Sequence, residues 1–408
     1  MHPQTVGDPT APVANPSQGQ SASNSSGKTR HVDARLLSVQ ALRAIAALLV
    51  VWVHSIDAAE FFTAPRQSRF FHMGNFGACG LDIFFVISGF IVSLVAVRSA
   101  ERNTGHRFAT AREFLTRRVT RIFPLYWILT LAVVLEQQFG RYKVPWHSVN
   151  WLPTILLLPS FPSQNDPINA PLLWLGWSLM FEIYFYLVLT AFVAWKPRRV
   201  VRDTITLLCC LALLGVGIGI HRPLLVIWMN PIILEFVFGC VIGVFYSRYR
   251  NGTAYRARIG IAMAAPGVAL LAATIFTGYG DASEARSIMT GYDCWLRVCV
   301  WGVPSALFVA GVIFWNPRMR SAPARLLVFL GDASYSIYLC TIPSRSFVEH
   351  FWRFFGRFGA DTGVFLGALF CTLVGVICYL ALERPLMRAF HNWYKPIPLH
   401  ERPAALSP

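Results

Sequence analysis

The chain has 408 residues, is 55% hydrophobic and only 14% charged, and has a mean hydropathy of +0.49. A soluble protein carries about twice that charge, and the apolar residues come in long runs rather than alternating, which favours spanning helices over an ordinary soluble fold or a β-barrel. The formal charge of +16 would suggest nucleic acid in a soluble protein. Here the arginines cluster between apolar runs, so membrane topology accounts for them and no nucleic-acid partner is expected. The expected fold is all-α: a polytopic transmembrane helical bundle of about ten spans.

Residues 1–34 are rich in Ser, Asn, Gln, Pro and Thr and contain no apolar run. They read as a disordered cytoplasmic tail, not a cleavable signal peptide. The transmembrane domain is expected over 35–388, and 389–408 as a cytoplasmic C-terminal tail. The spans are placed at 36–57, 79–98, 121–138, 172–195, 203–220, 228–246, 258–278, 297–315, 326–344 and 363–383. The stretch 151–161 is too short to cross and reads as an interfacial or re-entrant segment.

Most of the 36 Lys and Arg fall in alternate loops. Lys28 to Arg35, Arg98 to Arg121, Lys196 to Arg202, Arg248 to Arg258, Arg318 to Arg325 and Arg384 to Arg402 would share one side. The positive-inside rule puts both termini in the cytoplasm. This predicts a multi-pass membrane protein, surrounded by lipid.

The first span carries two residues that such a segment should avoid, Arg43 and His54. Eleven steps along a helix return to within about 20° of the same face, roughly 16 Å further on. Arg43 and His54 therefore share one stripe, and polar groups in such places mark function by default. The orientation puts Asp82 at the depth of His54, with Trp177 and Ser178 above Glu182. Glu182 lies near the depth of Arg43, and a buried Arg43–Glu182 ion pair and a substrate-binding role are compatible readings. A carboxylate at the right place holds an imidazole in one tautomer and leaves the other nitrogen free as a base. The nine cysteines form no CxxC or zinc-type cluster and read as small buried hydrophobes, with a Cys79–Cys294 disulfide left open. No metal signature, nucleophile elbow or phosphate-binding glycine loop appears, so no metal site is expected. Arg117, Arg118 and Arg121 at the entry of the third span read as topology or as a cradle for a phosphorylated donor.

The chain resembles the acyltransferase-3 family of polytopic membrane acyltransferases, of the type that decorates exopolysaccharides and lipopolysaccharides. The resemblance rests on Arg43 and His54; on Asp82 to Phe90; on Arg117, Arg118, Arg121 and Pro124; on Trp177, Ser178 and Glu182; on Ser334 to Leu339, including Tyr335; and on Glu383 and Pro385. It covers roughly residues 36–388. After Tyr338 and Leu339, where many relatives have a histidine, this chain has Cys340. The resemblance implies an acyl-CoA co-substrate, acetyl-CoA among the options, and no bound cofactor. Arg117, Arg118 and Arg121 would meet the donor phosphates, and Arg43 would line the path of the pantetheine arm. His54, oriented by Asp82, would deprotonate a hydroxyl of a polysaccharide or lipid-linked sugar. Ser178 or Trp177 would donate to the oxyanion. Two other readings stay open: a transporter using Arg43, Glu182 and His54 as binding or proton-relay groups, and a scaffold for polysaccharide synthesis.

Overall fold

The structure, a computed structural model, describes residues 22–62, 68–70, 73, 75–102, 106–139, 149–159, 171–218, 223–249, 254–277 and 292–393. All regular structure among them is helical. The helices are α1 Ala22–Phe62, α2 Cys79–Arg102, α3 Arg107–Phe139, α4 Trp151–Leu156, α5 Gly176–Trp195, α6 Val200–Ile218, α7 Pro223–Trp228 and α8 Ile233–Arg248. Then follow α9 Ala254–Thr277, α10 Tyr292–Arg297, α11 Val303–Trp315, α12 Ala322–Asp332, α13 Ser334–His350, α14 Trp352–Phe355, α15 Ala360–Cys378 and α16 Arg384–Trp393. A π turn, Val298–Gly302, joins α10 to α11, and another, Tyr379–Glu383, joins α15 to α16.

Among the described residues, seven helices are long and apolar enough to cross a membrane, or eight if one bent pair counts as a single span. The sequence reading expects ten. The difference lies at 203–220 and 228–246, where α6 runs to the edge of the described residues and α8 has only 16 residues. The bent pair is α12 and α13, which meet at 71°. The predicted ninth span is therefore two helices broken at Ala333, not one rod. Gly331, just before the break, lies so close to α1 that a Cβ there would sit 1.9 Å from the Gln40 carbonyl oxygen. Helix α1 begins at Ala22, so residues 22–34, expected as tail, continue the helix; residues 1–21 and 394–408 lie outside the described residues.

α2 is the central helix, buried on every side, as a helix apolar all round should be. Its residues 80, 83 and 87 face α1, and 81, 84, 85 and 88 face a cavity. Residues 82, 86, 89 and 93 face α8 and α10. A Cβ on Gly89 would sit 2.2 Å from the Phe236 carbonyl oxygen, and one on Gly239 would sit 2.1 Å from that of Val86. Only glycine permits this approach of two helices.

The stretch read as interfacial is the short helix α4, closed by Leu157 at φ 54°. Its last carbonyls have no helical partner. Tyr126 of α3 donates to the Thr154 carbonyl at 2.7 Å, and Trp127 donates to that of Ile155 at 2.8 Å. All nine cysteines are free. Six are buried, which matches the small-hydrophobe reading, and Cys79 and Cys294 form no disulfide. Cys294 instead donates to Asn230 Oδ1 at 2.6 Å.

Candidate active site

His54 lies where α1 nears its C-terminal end. Its Nδ1 donates to Asp57 Oδ2 at 3.0 Å, one helical turn further on. A carboxylate can only accept, so Nδ1 is the donor and, in the neutral imidazole, Nε2 carries the lone pair. Asp57 Oδ2 also accepts from Arg345 Nη1 of α13 at 3.4 Å, and Arg345 Nε donates to Glu349 at 2.6 Å. The His54 side chain is 12% exposed, so it reaches the surface of the bundle without losing its fixed position. Trp174 sets its ring edge-on to the imidazole, with centroids 6.3 Å apart, and Trp177 follows at 6.4 Å from Trp174.

The carboxylate beside His54 is therefore Asp57, not Asp82. Asp82 is on the α2 face turned toward α8 and α10. There its Oδ2 accepts from Arg297 Nη2 at 2.7 Å. Asp82 is fully buried, Arg297 3% exposed, and Glu235 of α8 is buried against them. Arg297 also lies over the Trp301 ring at 4.7 Å. Equal depth in the membrane said nothing about which way the Asp82 side chain points.

A cavity of about 90 Å³ runs through the middle of the bundle, lined by Arg43, Arg118, Arg121, Ser178, Glu182 and Tyr338 among others. A wider cavity of about 670 Å³ adjoins it, lined by Arg43, Arg121, Asp332, Glu383, Arg384 and Arg388. Arg43 and Arg121 line both, so they stand between a broad vestibule and a narrow interior, at a place termed the neck. Arg384 and Arg388 stand on the rim of the vestibule, one turn apart on the amphipathic helix α16. The sequence reading had assigned them to topology alone.

Arg43 and Glu182 share the narrow cavity but form no direct ion pair among the described residues. Glu182 accepts instead from Ser88 Oγ at 2.9 Å and from the Tyr186 hydroxyl. Arg118 lies over the Tyr186 ring at 5.8 Å. Arg117 turns away from the cavity and pairs with Glu113 at 2.7 Å, so the structure separates it from Arg118 and Arg121. Their spacing explains the split: one step of 100° separates Arg117 from Arg118, whereas Arg118 and Arg121 are three residues apart on one face.

Ser178 and Tyr338 share a hydrogen bond of 2.7 Å at the far wall of the narrow cavity, and both approach the Leu175 carbonyl. Tyr335 lines the same cavity and donates to the Ile122 carbonyl at 2.7 Å, tying α13 to α3. Ser334 is buried at the break between α12 and α13, and Ser336 donates to Glu383 at 2.5 Å. Trp177 is buried and packs edge-on against Phe181. Sequence reasoning missed Asp57, Arg345, Tyr338 and Ser88. Asp57 had a signal, since an acidic residue three positions after a histidine on a helix faces it. Arg345 had none, because its partner lies 288 residues away.

These features define a class: a polytopic membrane enzyme with a carboxylate-held histidine near one end of the bundle and an arginine-lined cavity within it. Comparison with known proteins gives the particular kind. The description "Acyltransferase domain" matches residues 36–384, and the chain belongs to that family of membrane acyltransferases. It is 30% identical over 321 residues to the exopolysaccharide production protein ExoZ of Rhizobium meliloti (strain 1021), covering 78% of this chain and 92% of ExoZ. It is 26% identical over 335 residues to the acyltransferase MdmB of Streptomyces mycarofaciens, covering 75% of this chain and 78% of MdmB. A shorter match, 26% over 176 residues, is to the peptidoglycan O-acetyltransferase OatA of Listeria monocytogenes serovar 1/2a (strain ATCC BAA-679 / EGD-e), covering 40% of this chain and 25% of OatA. No solved structure matches. The chain is thus a multi-pass bacterial membrane acyltransferase, and the inner membrane fits its helices and relatives.

Proposed function

We propose that this acyltransferase moves an acyl group, acetyl in the simplest case, from cytoplasmic acyl-CoA to a hydroxyl of an exported or surface glycan. The observation that carries the reading is the His54–Asp57 contact of 3.0 Å, which leaves Nε2 as a base. The names of ExoZ and OatA, one tied to exopolysaccharide and the other to peptidoglycan O-acetylation, favour a glycan acceptor.

The donor nucleotide rests in the vestibule, where Arg121, Arg384 and Arg388 are suited to its phosphates. Its pantetheine arm passes the neck at Arg43 and enters the narrow cavity. Glu182, held by Ser88 and Tyr186, balances the cationic neck from inside. His54 Nε2 takes the proton of the acceptor hydroxyl as its oxygen attacks the thioester carbon. The Ser178–Tyr338 pair donates to the oxyanion that forms. The carbon–sulfur bond then breaks, the ester remains on the glycan and His54 Nε2 passes its proton to the departing CoA thiolate. Asp57, itself held by Arg345, keeps the imidazole oriented and stabilises its cationic form.

The test is acyl transfer from radiolabelled acetyl-CoA to cell-envelope glycan in membranes that carry the chain or its His54→Ala variant. Transfer by the parent and its loss in a well-folded variant supports the reading. Equal transfer by both rejects His54 as base. The 71° break between α12 and α13 is a feature shared with carriers whose spans are interrupted. Solute uptake into proteoliposomes without acyl transfer would favour that second reading.

A further inference from the structure

On the His54 side of the bundle a groove of about 520 Å³ opens between α1, α3 and α13. That volume lies within the roughly 300–1,000 Å³ of small-molecule sites. One wall is aromatic: Phe61 and Phe62 end α1, and Phe351 caps α13. The rest mixes apolar side chains such as Val133, Leu172 and Ile342 with polar ones, Gln137, Ser346 and His350 among them, and two carboxylates, Glu136 from α3 and Glu349 from α13. Glu136 stands beside Ser346 and within electrostatic reach of Glu349.

The groove is wired to the catalytic histidine by two routes. Asp57 holds both His54 and Arg345, and Arg345 holds Glu349 in the groove wall. Leu172 lines the groove, and Trp174, two residues on, sets its edge against the His54 ring. A ligand in the groove therefore lies beside the residues that orient the imidazole.

Its chemistry selects a ligand class. Aromatic faces take up the C–H faces of a pyranose ring, an apolar surface on a polar molecule. Carboxylates only accept, so they suit hydroxyl and ammonium donors and repel another carboxylate. The nearby cation, Arg345, is already shared between Asp57 and Glu349. We propose that this groove is the acceptor site and takes a glycan unit that is uncharged or bears an amine, in preference to a uronate. The proposal rests on the acyl-transfer reading above and adds the acceptor's position and charge.

The experiment uses the full chain in lipid nanodiscs, acetyl-CoA as donor and three oligosaccharide probes: a neutral glucan, a chitosan fragment and an oligogalacturonate. Calorimetric binding is measured alongside acceptor KM and kcat, for the parent chain, Glu136→Gln and Phe351→Ala. The glucan or the chitosan fragment binds and the oligogalacturonate does not. Glu136→Gln raises the KM for the chitosan fragment roughly tenfold, the loss of one charge-assisted hydrogen bond. Preference for the oligogalacturonate, no binding of any probe, or unchanged binding and KM in both variants overturns the groove. Binding that depends on Glu136 with no acetyl transferred leaves the groove standing and removes acyl transfer. Transfer with both variants behaving as the parent does the reverse.

Discussion

Two ionic clusters are built from the same residue types and do opposite things. One joins His54, Asp57, Arg345 and Glu349 at the end of the bundle, with Asp57 36% and Arg345 27% exposed. The other joins Asp82, Glu235 and Arg297 in the interior, with Asp82 and Glu235 at 0%. In the first, the imidazole keeps a nitrogen to offer and the partners reach water. In the second, Arg297 meets Asp82 between packed helices, with Glu235 buried beside them. Such a pair locks helices in place, and its net worth lies in what happens when one partner is removed. The lesson is that depth alone does not decide which partner a carboxylate in a membrane helix meets.

The sharpest way to break this comparison is His54→Ala. Acyl transfer should fall by roughly 10²–10⁴-fold, the usual contribution of a general base, with thermal unfolding nearly unchanged. Asp57→Asn should cost activity at the low end of that range, near 10²-fold, because it orients the base rather than acting as it. Its unfolding temperature should also hold. Arg297→Met should do the opposite and lose about 3–5 kcal/mol of stability, since it strands buried Asp82. Unfolding in detergent, followed by tryptophan fluorescence, measures it. If Arg297→Met instead keeps its stability and loses transfer, the interior cluster is part of the chemistry. Gly89→Ala should cost about 1–3 kcal/mol by forcing α2 from α8, read in the same assay. Arg345→Ala should have the smallest effect, about 1 kcal/mol or less in a half-exposed pair. That corresponds to a few-fold drop in kcat/KM.

The legible part of the site was everything that depends on one helix. Arg43 and His54 share a stripe because of helical pitch alone. Ser178 and Glu182 line one cavity because they are one turn apart on α5. Asp57 was legible by the same rule, at three residues from His54. The assignment of Asp82 to His54 failed because two helices at one depth can still present a side chain in any direction. Glycine contacts at Gly80 and Gly89 fix the rotation of α2 and send Asp82 to Arg297. The break at Ala333 was likewise hidden inside an apolar run of plausible length.

The amino-acid order alone determined that this chain crosses a membrane as helices, because no other backbone arrangement of such apolar runs satisfies its own hydrogen bonds in lipid. It also determined the family, through short polar motifs set in those helices. Tertiary packing decided which charge meets which: Asp57 with Arg345, Asp82 with Arg297, and Arg43 with Arg121 at the neck of two cavities. Those partners are distant in sequence except where one helix holds both. Their pairing depends on helix rotation, which is set by close contacts that no periodicity records.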